Sequence, residues 1–578
     1  MTEPADASVL WGVMIPLRDG VRLHANIYLP KVERNRVACV LIMTPYIADS
    51  HHARGMYFAS CGLGCMVVDV RGRGDSEGTF KPNIQEANDG FDVVEWLASR
   101  DFCNGKVAMS GGSYLGYAQW ATAKEFPPHL VAIAPAAAPF LGVDFPMRNN
   151  MFHPWVVQWL FYVSGRVSRP QCFSDREFWG KLYRTWYESG RSLRDLESLL
   201  GKSLPVFQEW LDHPQLDEYW DAYNPTPEQY AKLSLPILTI TGAYDDEQPG
   251  ALEHYRQHLL YAPEASRTRH YLIIGPWDHL GTGWNPQESF GGIRVGRASC
   301  VDMQKLHVDW YRWSMEGGPR PEFLRKSVAY YVVGAERWRY ADSLDAITAR
   351  YTTLFLDSTA RAKGIFSSGT LGPDIGRGDP DSYTYDPRVT GSPEVSALMR
   401  ADGGSYIDQG IALALGEKLL VYHSDPLPED VEISGFFKLQ AWISIDCPDT
   451  DLFASIYEIG LDGACVCLGT DAIRARYREG LRTPRLIETR EALLYEFKRF
   501  TFTSRLVRKG CRLRLIVAPV GKLIDAIFIE KNYNGGGVVA AETANDGRAV
   551  SVRLFHDEEH PSALYIPIAE ADEEEKVV

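Results

Sequence analysis

Four short apolar runs in the first quarter of the chain constrain its fold more than any other feature. Each run is too short for a helix and too uniformly apolar for a strand with one solvent-exposed face. This combination is typical of buried parallel strands. Helical periodicity lies between the runs, as over 86–97. Strands that alternate with helices predict a parallel α/β sheet. The runs are Val37–Met43, Cys65–Val70, Val107–Met109 and Val131–Ala134.

One strand with strict alternation precedes these runs, and the turn signal Arg18-Asp19-Gly20 stands before it. Alternation places one set of side chains in the core and the other set in solvent. We therefore expect an antiparallel hairpin that is half exposed. The inward set is Val21, Leu23, Ala25, Ile27 and Leu29, and the outward set is Arg22, His24, Asn26 and Tyr28.

Between residues 144 and 232 the strand signal disappears and tryptophans accumulate. Six of the fifteen tryptophans of the chain fall in this segment. The pattern predicts a helical insertion, and an insertion into an α/β domain commonly covers the strand ends where ligands bind. We expect an aromatic-lined cap, in which Trp155 and Trp159 are candidate substrate contacts. Alternating strand and helix patterns return at 236–241, 250–261, 271–275 and 301–315.

The glycine and proline cluster at 317–321 ends that pattern. Beyond it, short strand-like segments with turn signals between them predict an all-β sandwich of the jelly-roll type. The stretch Asp357–Pro393 is expected to form long surface loops. The strand-like segments are Val328–Val333, Tyr351–Leu356, Lys418–Tyr422, Val431–Ile445, Leu452–Ile459, Glu491–Phe502, Cys511–Val517 and Ala563–Ile568.

The net charge argues against one class of binding partner, and the cysteine spacing indicates the state of the thiols. A net charge of -15 disfavours binding to a phosphate backbone, so we expect no nucleic-acid partner. The ten cysteines show neither C-x-x-C pairs nor zinc-finger spacing, which indicates reduced and mostly buried thiols. Cys465 and Cys467 would share one face of a strand, where packing is favoured over the edge of a metal site.

The sequence also carries expectations about location. The first eleven residues include two acids and no apolar core of a signal peptide, and no run approaches 18 apolar residues. We expect neither a signal peptide nor a membrane span. The expected location is the cytoplasm.

The sharpest chemical signal is the segment Val107–Gly116, in which a short apolar strand runs into glycines, a serine and a helical stretch. It indicates a nucleophile elbow that presents Ser113 above the sheet. The strict G-x-S-x-G spacing is not met, because Leu115 occupies the fifth place and Gly116 follows it. An ordinary glycine-rich turn is the alternative interpretation.

A serine hydroxyl needs a base that is held by an acid, so an elbow predicts an acid and then a histidine after later strands. Asp245 follows the strand at 236–241, and His279 follows the strand at 271–275. The order Ser, Asp, His is the one required. Asp246 and Asp278 stay open as alternative acids.

On these residues the chain resembles the cocaine esterase and X-prolyl dipeptidyl-peptidase (CocE/NonD) family of serine hydrolases. The likeness rests on Gly-Gly-Ser-Tyr-Leu-Gly around Ser113, Gly-Ala-Tyr-Asp at Asp245 and Gly-Pro-Trp-Asp-His at His279. The loop Arg71–Gly78 and the pair Pro45-Tyr46 also match. A glycine-rich loop that binds phosphate carries Lys-Ser or Lys-Thr after its glycines, and this loop carries neither pair. We therefore assign a structural role to it.

The resemblance covers nearly the whole chain and implies an α/β-hydrolase domain split by a helical cap and followed by a jelly-roll domain. We predict the first part of the hydrolase domain at 1–143, the cap at 144–232, the second part at 233–318 and the jelly-roll at 319–578. The resemblance also implies that the Tyr46 hydroxyl and the Tyr114 N–H hold the oxyanion. A Tyr46 that only covers the sheet is the structural alternative.

Within this family, α-amino acid ester hydrolases hold the substrate ammonium in a cluster of three carboxylates. Glu247 matches one of these positions, whereas Gln248 and Asn150 stand at the other two. All three are candidate substrate-binding residues. We expect the pocket to bind a polar or amide-bearing group rather than an ammonium. A solvated loop acid is the alternative for Glu247.

These observations predict a serine hydrolase that cleaves an ester or amide bond of a small acyl substrate through an acyl-enzyme on Ser113. No metal or organic cofactor is expected. An acyltransferase with an alcohol or amine acceptor is the alternative within enzymology. A catalytically inert carbohydrate- or partner-binding protein is the alternative from another class. We expect a small-molecule substrate and no membrane partner, and we leave self-association open.

Overall fold

The computed structural model describes residues 6–31, 36–283, 286–359, 361–398, 406–407, 409–522 and 529–570. Within these ranges the strands form two large sheets and two ribbons of two strands each. The first sheet lies in an α/β domain, and the second lies in a strand-rich C-terminal domain. The predicted fold class is confirmed at this level, whereas the jelly-roll topology and the domain boundaries stay predictions.

Ten strands of the described chain form the first sheet, in the spatial order β1-β2-β4-β3-β5-β6-β9-β10-β13-β14. From β4 to β13 every pair of neighbours is parallel. The strands β3 and β4 are buried along their full length, as their continuous apolar runs predict, and β9 and β10 are buried along their full length as well. The bounds are β1 Ala7–Pro16, β2 Arg22–Pro30, β3 Val37–Thr44, β4 Gly64–Asp69, β5 Cys103–Gly112, β6 Leu130–Ala136, β9 Ile237–Gly242, β10 His270–Gly275, β13 Val328–Val332 and β14 Arg337–Ala341.

Helices connect these strands. α3 follows β5 directly, and α11 follows the loop after β9. The helices of this domain are α1 His52–Ser60, α2 Glu86–Ala98, α3 Tyr114–Ala123, α11 Gln248–Tyr261, α12 Glu264–Arg267 and α13 Met303–Glu316, and the ribbon β11 Ser289–Phe290 with β12 Ile293–Arg294 lies between α12 and α13.

The hairpin β1–β2 forms as predicted, but the outward face of β2 is exposed only toward its start, at Arg22. Asn26 and Tyr28 are both buried. Tyr28 packs against Gly55 of α1, and Asn26 donates a hydrogen bond at 2.9 Å to Asp49, in the turn that precedes α1. The predicted half-exposure was wrong here because alternation says nothing about a helix that packs on the second face.

The segment between β6 and β9 is helical, as predicted. It opens with the ribbon β7–β8 and continues through seven described helices. Trp186, Trp210 and Trp220 are fully buried and fill the core of this cap rather than its ligand-facing side. The bounds are β7 Met147–Arg148, β8 Met151–Phe152, α4 Trp155–Tyr162, α5 Pro170–Phe173, α6 Arg176–Ser189, α7 Leu196–Leu200, α8 Pro205–Leu211, α9 Glu218–Asp221 and α10 Pro227–Tyr230.

The C-terminal domain contributes thirteen strands within the described ranges, all joined in the second sheet. Its core is a separate apolar cluster built on β18, β20, β21, β25 and their neighbours. The bounds are β15 Arg350–Asp357, β16 Gly369–Gly372, β17 Asp381–Tyr385, α14 Ser392–Leu398, α15 Gly410–Leu415, β18 Leu420–Ser424, β19 Val431–Phe436, β20 Lys438–Ile445, β21 Asp451–Ile459, β22 Cys465–Arg474, β23 Leu493–Phe497, β24 Phe502–Val507, β25 Arg512–Ala518, β26 Val550–Phe555 and β27 Ala563–Ile568.

Two predictions about this half of the chain were wrong. The strand predicted at Val328–Val333 as part of the β-sandwich is β13, which pairs in parallel with β10 of the first sheet. The stretch Asp357–Pro393 is not only loop, because β16 and β17 lie within it and pair with β15 and β26. In both cases the partner strand, which is distant in sequence, decides the assignment. No helix in the described ranges is long and apolar enough to cross a membrane.

Candidate active site

Ser113 stands between the end of β5 and the start of α3. Its backbone angles, φ 59° and ψ -128°, lie in a region that side chains rarely adopt, which is the strained turn expected of an elbow. A Cβ on Gly116 would lie 2.7 Å from the Ala136 carbonyl oxygen, and one on Gly111 would lie 2.5 Å from Leu115. Leu115 is buried and packs back on Gly111. The close approach of α3 to β6 therefore requires glycine at 116 and not at 115.

Asp245 and His279 meet where β9 and β10 end. The Nδ1 of His279 lies 2.9 Å from Asp245 Oδ1, and Asp245 is fully buried. Asp246 Oδ1 is farther from the same nitrogen, at 3.7 Å. Asp278 instead accepts a hydrogen bond from the backbone N–H of Gly281 at 2.8 Å. The geometry favours Asp245 over both alternative acids.

Backbone hydrogen bonds hold the two loops together. The Tyr244 N–H donates to the Trp277 carbonyl at 3.0 Å, and the Ala243 N–H donates to the Gly275 carbonyl at 2.8 Å. The carboxyl ends of neighbouring parallel strands lie on one edge of a sheet, where ligand sites form in this type of fold. The acid and the histidine are thus positioned by sheet geometry.

Ser113 and His279 line one cavity of about 420 Å³ beneath the cap. Because Asp245 occupies Nδ1 of His279, the Nε2 atom is the nitrogen left to exchange a proton with substrate or serine. The Ser113 hydroxyl lies 3.5 Å from Glu247 Oε1. The lining is mainly apolar and consists of Tyr46, Asn83, Ser113, Tyr114, Pro139, Phe145, Trp155, Trp159, Tyr162, Phe173, Glu247, His279 and Leu280.

The predicted oxyanion donors lie beside the serine. The Tyr46 hydroxyl accepts a hydrogen bond from Trp159 Nε1 at 3.1 Å, and its ring stacks on Tyr162. Burial raises the pKa of Tyr46, which keeps the hydroxyl protonated and able to donate. Tyr114 is the first residue of α3, and its ring lines the cavity while its hydroxyl donates to Glu86.

The loop Arg71–Gly78 supports Tyr46 from behind. The Nε of Arg73 donates to the Pro45 carbonyl at 2.7 Å, and Arg73 is fully buried. The neighbouring Arg71 forms a bidentate pair with Asp89 on α2. These contacts fit the structural role that the sequence predicts for the loop.

Four titratable groups interact at the base of the cavity. Burial raises the pKa of Glu247 well above its usual range and raises the pKa of Asp246 to about 7. Burial alone would lower the pKa of His279, but the carboxylates of Asp245, Glu247 and Asp246 outweigh it and hold that pKa well above its ordinary value. The site therefore holds protons that it releases as pH rises.

Two predicted substrate contacts do not reach the cavity. The Gln248 side chain bonds with the backbone of Phe502 on β24, donating to its carbonyl at 3.2 Å and accepting from its N–H at 2.7 Å. The Asn150 side chain donates to the Leu481 carbonyl at 2.6 Å. Both predictions fail because contacts with the C-terminal domain, distant in sequence, turn these side chains away from the ligand.

Glu247, Trp155 and Trp159 do line the cavity, in agreement with their predicted place. Sequence reasoning missed Asn83, Phe145, Tyr162, Phe173 and Leu280. Asn83 precedes α2 by three residues, so its only sequence signal is that of a helix start. Its place in the site follows from the path of the loop between β4 and α2.

Among the described residues, one group could hold a metal ion: Asp245, Asp246 and His279, whose ligand atoms lie within 4.8 Å of one another. Two of its members already bond to each other. Cys465 and Cys467 are not part of it and lie on β22 of the C-terminal domain.

Two family models match the chain. The model described as X-Pro dipeptidyl-peptidase (S15 family) matches residues 19–281, and the model described as the C-terminal non-catalytic domain of X-Pro dipeptidyl-peptidase matches residues 322–519. The cocaine esterase of Rhodococcus sp. is 27% identical over 582 residues, which cover 97% of this chain and 98% of that protein.

Solved structures agree on the fold. An aminopeptidase from a marine sediment Thaumarchaeota archaeon superposes with a TM-score of 0.83 at 20% identity, covering 98% of this chain and 97% of that one. An α-amino acid ester hydrolase superposes with a TM-score of 0.80 at 19% identity and the same coverage. At these identities the likeness establishes the arrangement of the chain and not a substrate.

Proposed function

Since this chain belongs to the X-Pro dipeptidyl-peptidase (S15) family of serine hydrolases and is similar to a cocaine esterase, we propose that it hydrolyses a small ester through an acyl-enzyme on Ser113. The chain is a serine hydrolase that acts on small-molecule esters or amides. What we propose beyond this is that the substrate is an ester rather than an amide, which residue performs each step of the reaction, and which class of substrate the cavity binds. Nothing in the comparisons favours acyl transfer or an inert binding protein.

One observation carries the proposal: Ser113, on its strained turn, lines the same cavity as His279, and His279 is bonded to the buried Asp245. An exposed serine, a base with one free ring nitrogen and an acid that orients the ring are the three parts that nucleophilic acyl transfer to serine needs. These parts come from three loops at one edge of the first sheet.

In the proposed reaction, Ser113 Oγ attacks the carbonyl carbon while its proton passes to Nε2 of His279. Asp245 keeps the imidazole oriented and stabilises its cationic form. The negative charge on the former carbonyl oxygen is held by the Tyr46 hydroxyl and the Tyr114 N–H. His279 then gives the proton to the leaving alcohol, and a water molecule, deprotonated by the same nitrogen, attacks the acyl-enzyme and frees Ser113.

The cavity supports a substrate that is largely apolar. Trp155, Trp159 and Phe145 form much of its wall, and burying apolar substrate surface against such rings favours binding. Glu247 is the carboxyl group next to the serine, and it is the one acid that this sequence keeps of the three-carboxylate cluster of α-amino acid ester hydrolases. Burial raises the pKa of Glu247, so this one carboxyl group attracts an ammonium ion less strongly than three ionised carboxylates would, and a polar or amide-bearing group suits the site better. A cytoplasmic location is a further part of the proposal, and self-association stays open.

The test is mass spectrometry of the intact protein after exposure to a fluorophosphonate, which reacts with activated serines. We expect a single adduct on the wild type and none on Ser113→Ala. A matched control is Ser110→Ala, because Ser110 lies on β5, the strand that leads to Ser113, and is buried beneath the turn. That variant should label like the wild type.

Peptide mapping then identifies the modified residue. An adduct on a serine other than Ser113, or equal labelling of Ser113→Ala, would overturn the assignment of the nucleophile. Absence of labelling and of ester hydrolysis in the wild type would contradict the proposed function as a whole.

A further inference from the structure

Asn83 brings a polar group into the active-site cavity that the catalytic machinery does not use. The residue lines the cavity and is 3% exposed. Its Oδ1 atom is buried and has no hydrogen-bond partner among the described residues. A buried polar atom without a hydrogen-bond partner destabilises the fold, so its retention needs another explanation.

The backbone of Asn83, and not its side chain, makes the local structural contacts. Its N–H donates to the Tyr114 hydroxyl at 3.4 Å, and its carbonyl accepts from the Tyr117 hydroxyl at 2.6 Å. Its φ of 67° favours asparagine or glycine over other residues. Glycine would satisfy each of these backbone requirements, so the fold does not account for the carboxamide.

The chemistry of the carboxamide selects its partner. The group is neutral and presents one acceptor and one donor, so it complements another amide whichever way its oxygen and nitrogen are placed. An anionic group is disfavoured in this cavity by Glu247, which lies on the same wall as Ser113. The remaining lining is apolar and gives a polar substrate group no other neutral side-chain amide.

We propose that Asn83 is a specificity-determining residue whose carboxamide binds a neutral amide group of the substrate. The inference rests on the proposed function and deepens it, because it names the substrate class: esters whose acyl chain carries an amide. Substrates without the amide leave the carboxamide unpaired in the complex and bind less well for that reason.

The experiment compares two p-nitrophenyl esters of equal chain length, N-acetylglycinate and pentanoate, which differ by an amide in the acyl chain. The measured quantity is the ratio of their kcat/KM values on one enzyme preparation. Asn83→Gly keeps the backbone conformation and removes the carboxamide, and we expect the ratio to fall about tenfold relative to the wild type. A ratio is independent of the fraction of enzyme that is folded.

Asn149→Gly is the matched control. Asn149 is also a buried asparagine at positive φ, but its side chain bonds with Asp471 and Ala472 outside the cavity. Its ratio should equal that of the wild type. A ratio that Asn83→Gly leaves unchanged, or that both variants lower equally, would overturn the inference while ester hydrolysis persists. If the wild type hydrolyses neither ester, the proposed function itself fails.

Discussion

At the scale of single residues, the site is an apolar cavity with a small number of ionisable groups crowded at its base. Asp245, Asp246 and Glu247 are consecutive in sequence, and all three lie within 4.0 Å of Nδ1 of His279. Only Asp245 is at hydrogen-bond distance. The other two act on the histidine through charge, and through-space charge in a buried site is weakly screened.

This crowding predicts an effect of Glu247→Gln on the pH profile. A general base must be neutral, so kcat/KM rises with pH through the pKa of His279, and the carboxylates raise that pKa. Removing one of them lowers the pKa of His279. We expect the acid limb of the kcat/KM profile for a neutral ester to move to lower pH by about one unit.

Glu253→Gln is the control for this measurement, because Glu253 lies on the same helix, α11, and contacts Gln257 outside the cavity. Its profile should coincide with that of the wild type. A Glu247→Gln profile that does not move, or that moves to higher pH, would contradict the electrostatic account of the site.

At the scale of elements, the ribbon β7–β8 ties the cap to the C-terminal domain. Arg474, at the end of β22, is fully buried, forms a bidentate pair with Asp451 and bonds Glu530 at 2.9 Å. The same guanidinium donates to the Asn150 carbonyl at 3.0 Å, and the Glu530 N–H donates to the Phe152 carbonyl at 2.8 Å. Because α4 begins three residues after β8, this network sets where the walls of the cavity stand.

Arg474→Met tests the network. The substitution leaves two carboxylates buried without their partner, so we expect the free energy of unfolding to fall by about 3–5 kcal/mol. Urea unfolding followed by tryptophan fluorescence measures it. Ester hydrolysis should fall as well, since α4 carries Trp155 and Trp159.

Arg482→Met provides the comparison, because Arg482 also joins the cap to the C-terminal domain, through Asp221, but both side chains are about half exposed. An exposed pair contributes under about 1 kcal/mol. Equal losses for the two variants would show that burial of the Arg474 network does not set its contribution.

At the scale of the whole molecule, the two sheets share structure across the predicted domain boundary at 318. β13 and β14 extend the first sheet beyond β10, and Val333 exchanges backbone hydrogen bonds with Ser504 and Leu506 of β24. The Gln248 amide joins α11 to Phe502 of the same strand. The catalytic loop after β9 is therefore braced by the C-terminal domain.

A chain that ends at residue 318 should consequently fail to fold. It would leave the edge of β10 unpaired and its apolar face uncovered where Val328 and Tyr330 now pack. We expect the 1–318 fragment to show no cooperative unfolding transition by calorimetry and no fluorophosphonate labelling, while the full chain shows both. A soluble 1–318 fragment that labels on Ser113 would contradict this account.

The sequence alone predicted the parts of the molecule that local chemistry decides. The buried strands β3 and β4 follow from uninterrupted apolar runs, because a strand covered on both faces tolerates little else. The elbow at Ser113 follows from the small residues that a strained turn requires, and the order of Ser113, Asp245 and His279 follows from the order of the strands that carry them. The helical cap follows from the loss of the strand signal and the accumulation of tryptophans between residues 144 and 232.

Tertiary structure alone decided the contacts between segments that are distant in sequence. It turned Gln248 and Asn150 toward the C-terminal domain, placed the carboxamide of Asn83 in the cavity, covered Tyr28 with a helix and assigned Val328–Val332 to the first sheet. Periodicity reports which face of an element is apolar but not which partner covers it. Pairing and packing depend on the free energy of the whole assembled chain. The substrate contacts therefore depend on the tertiary structure, whereas the order of Ser113, Asp245 and His279 along the chain could be predicted from the sequence.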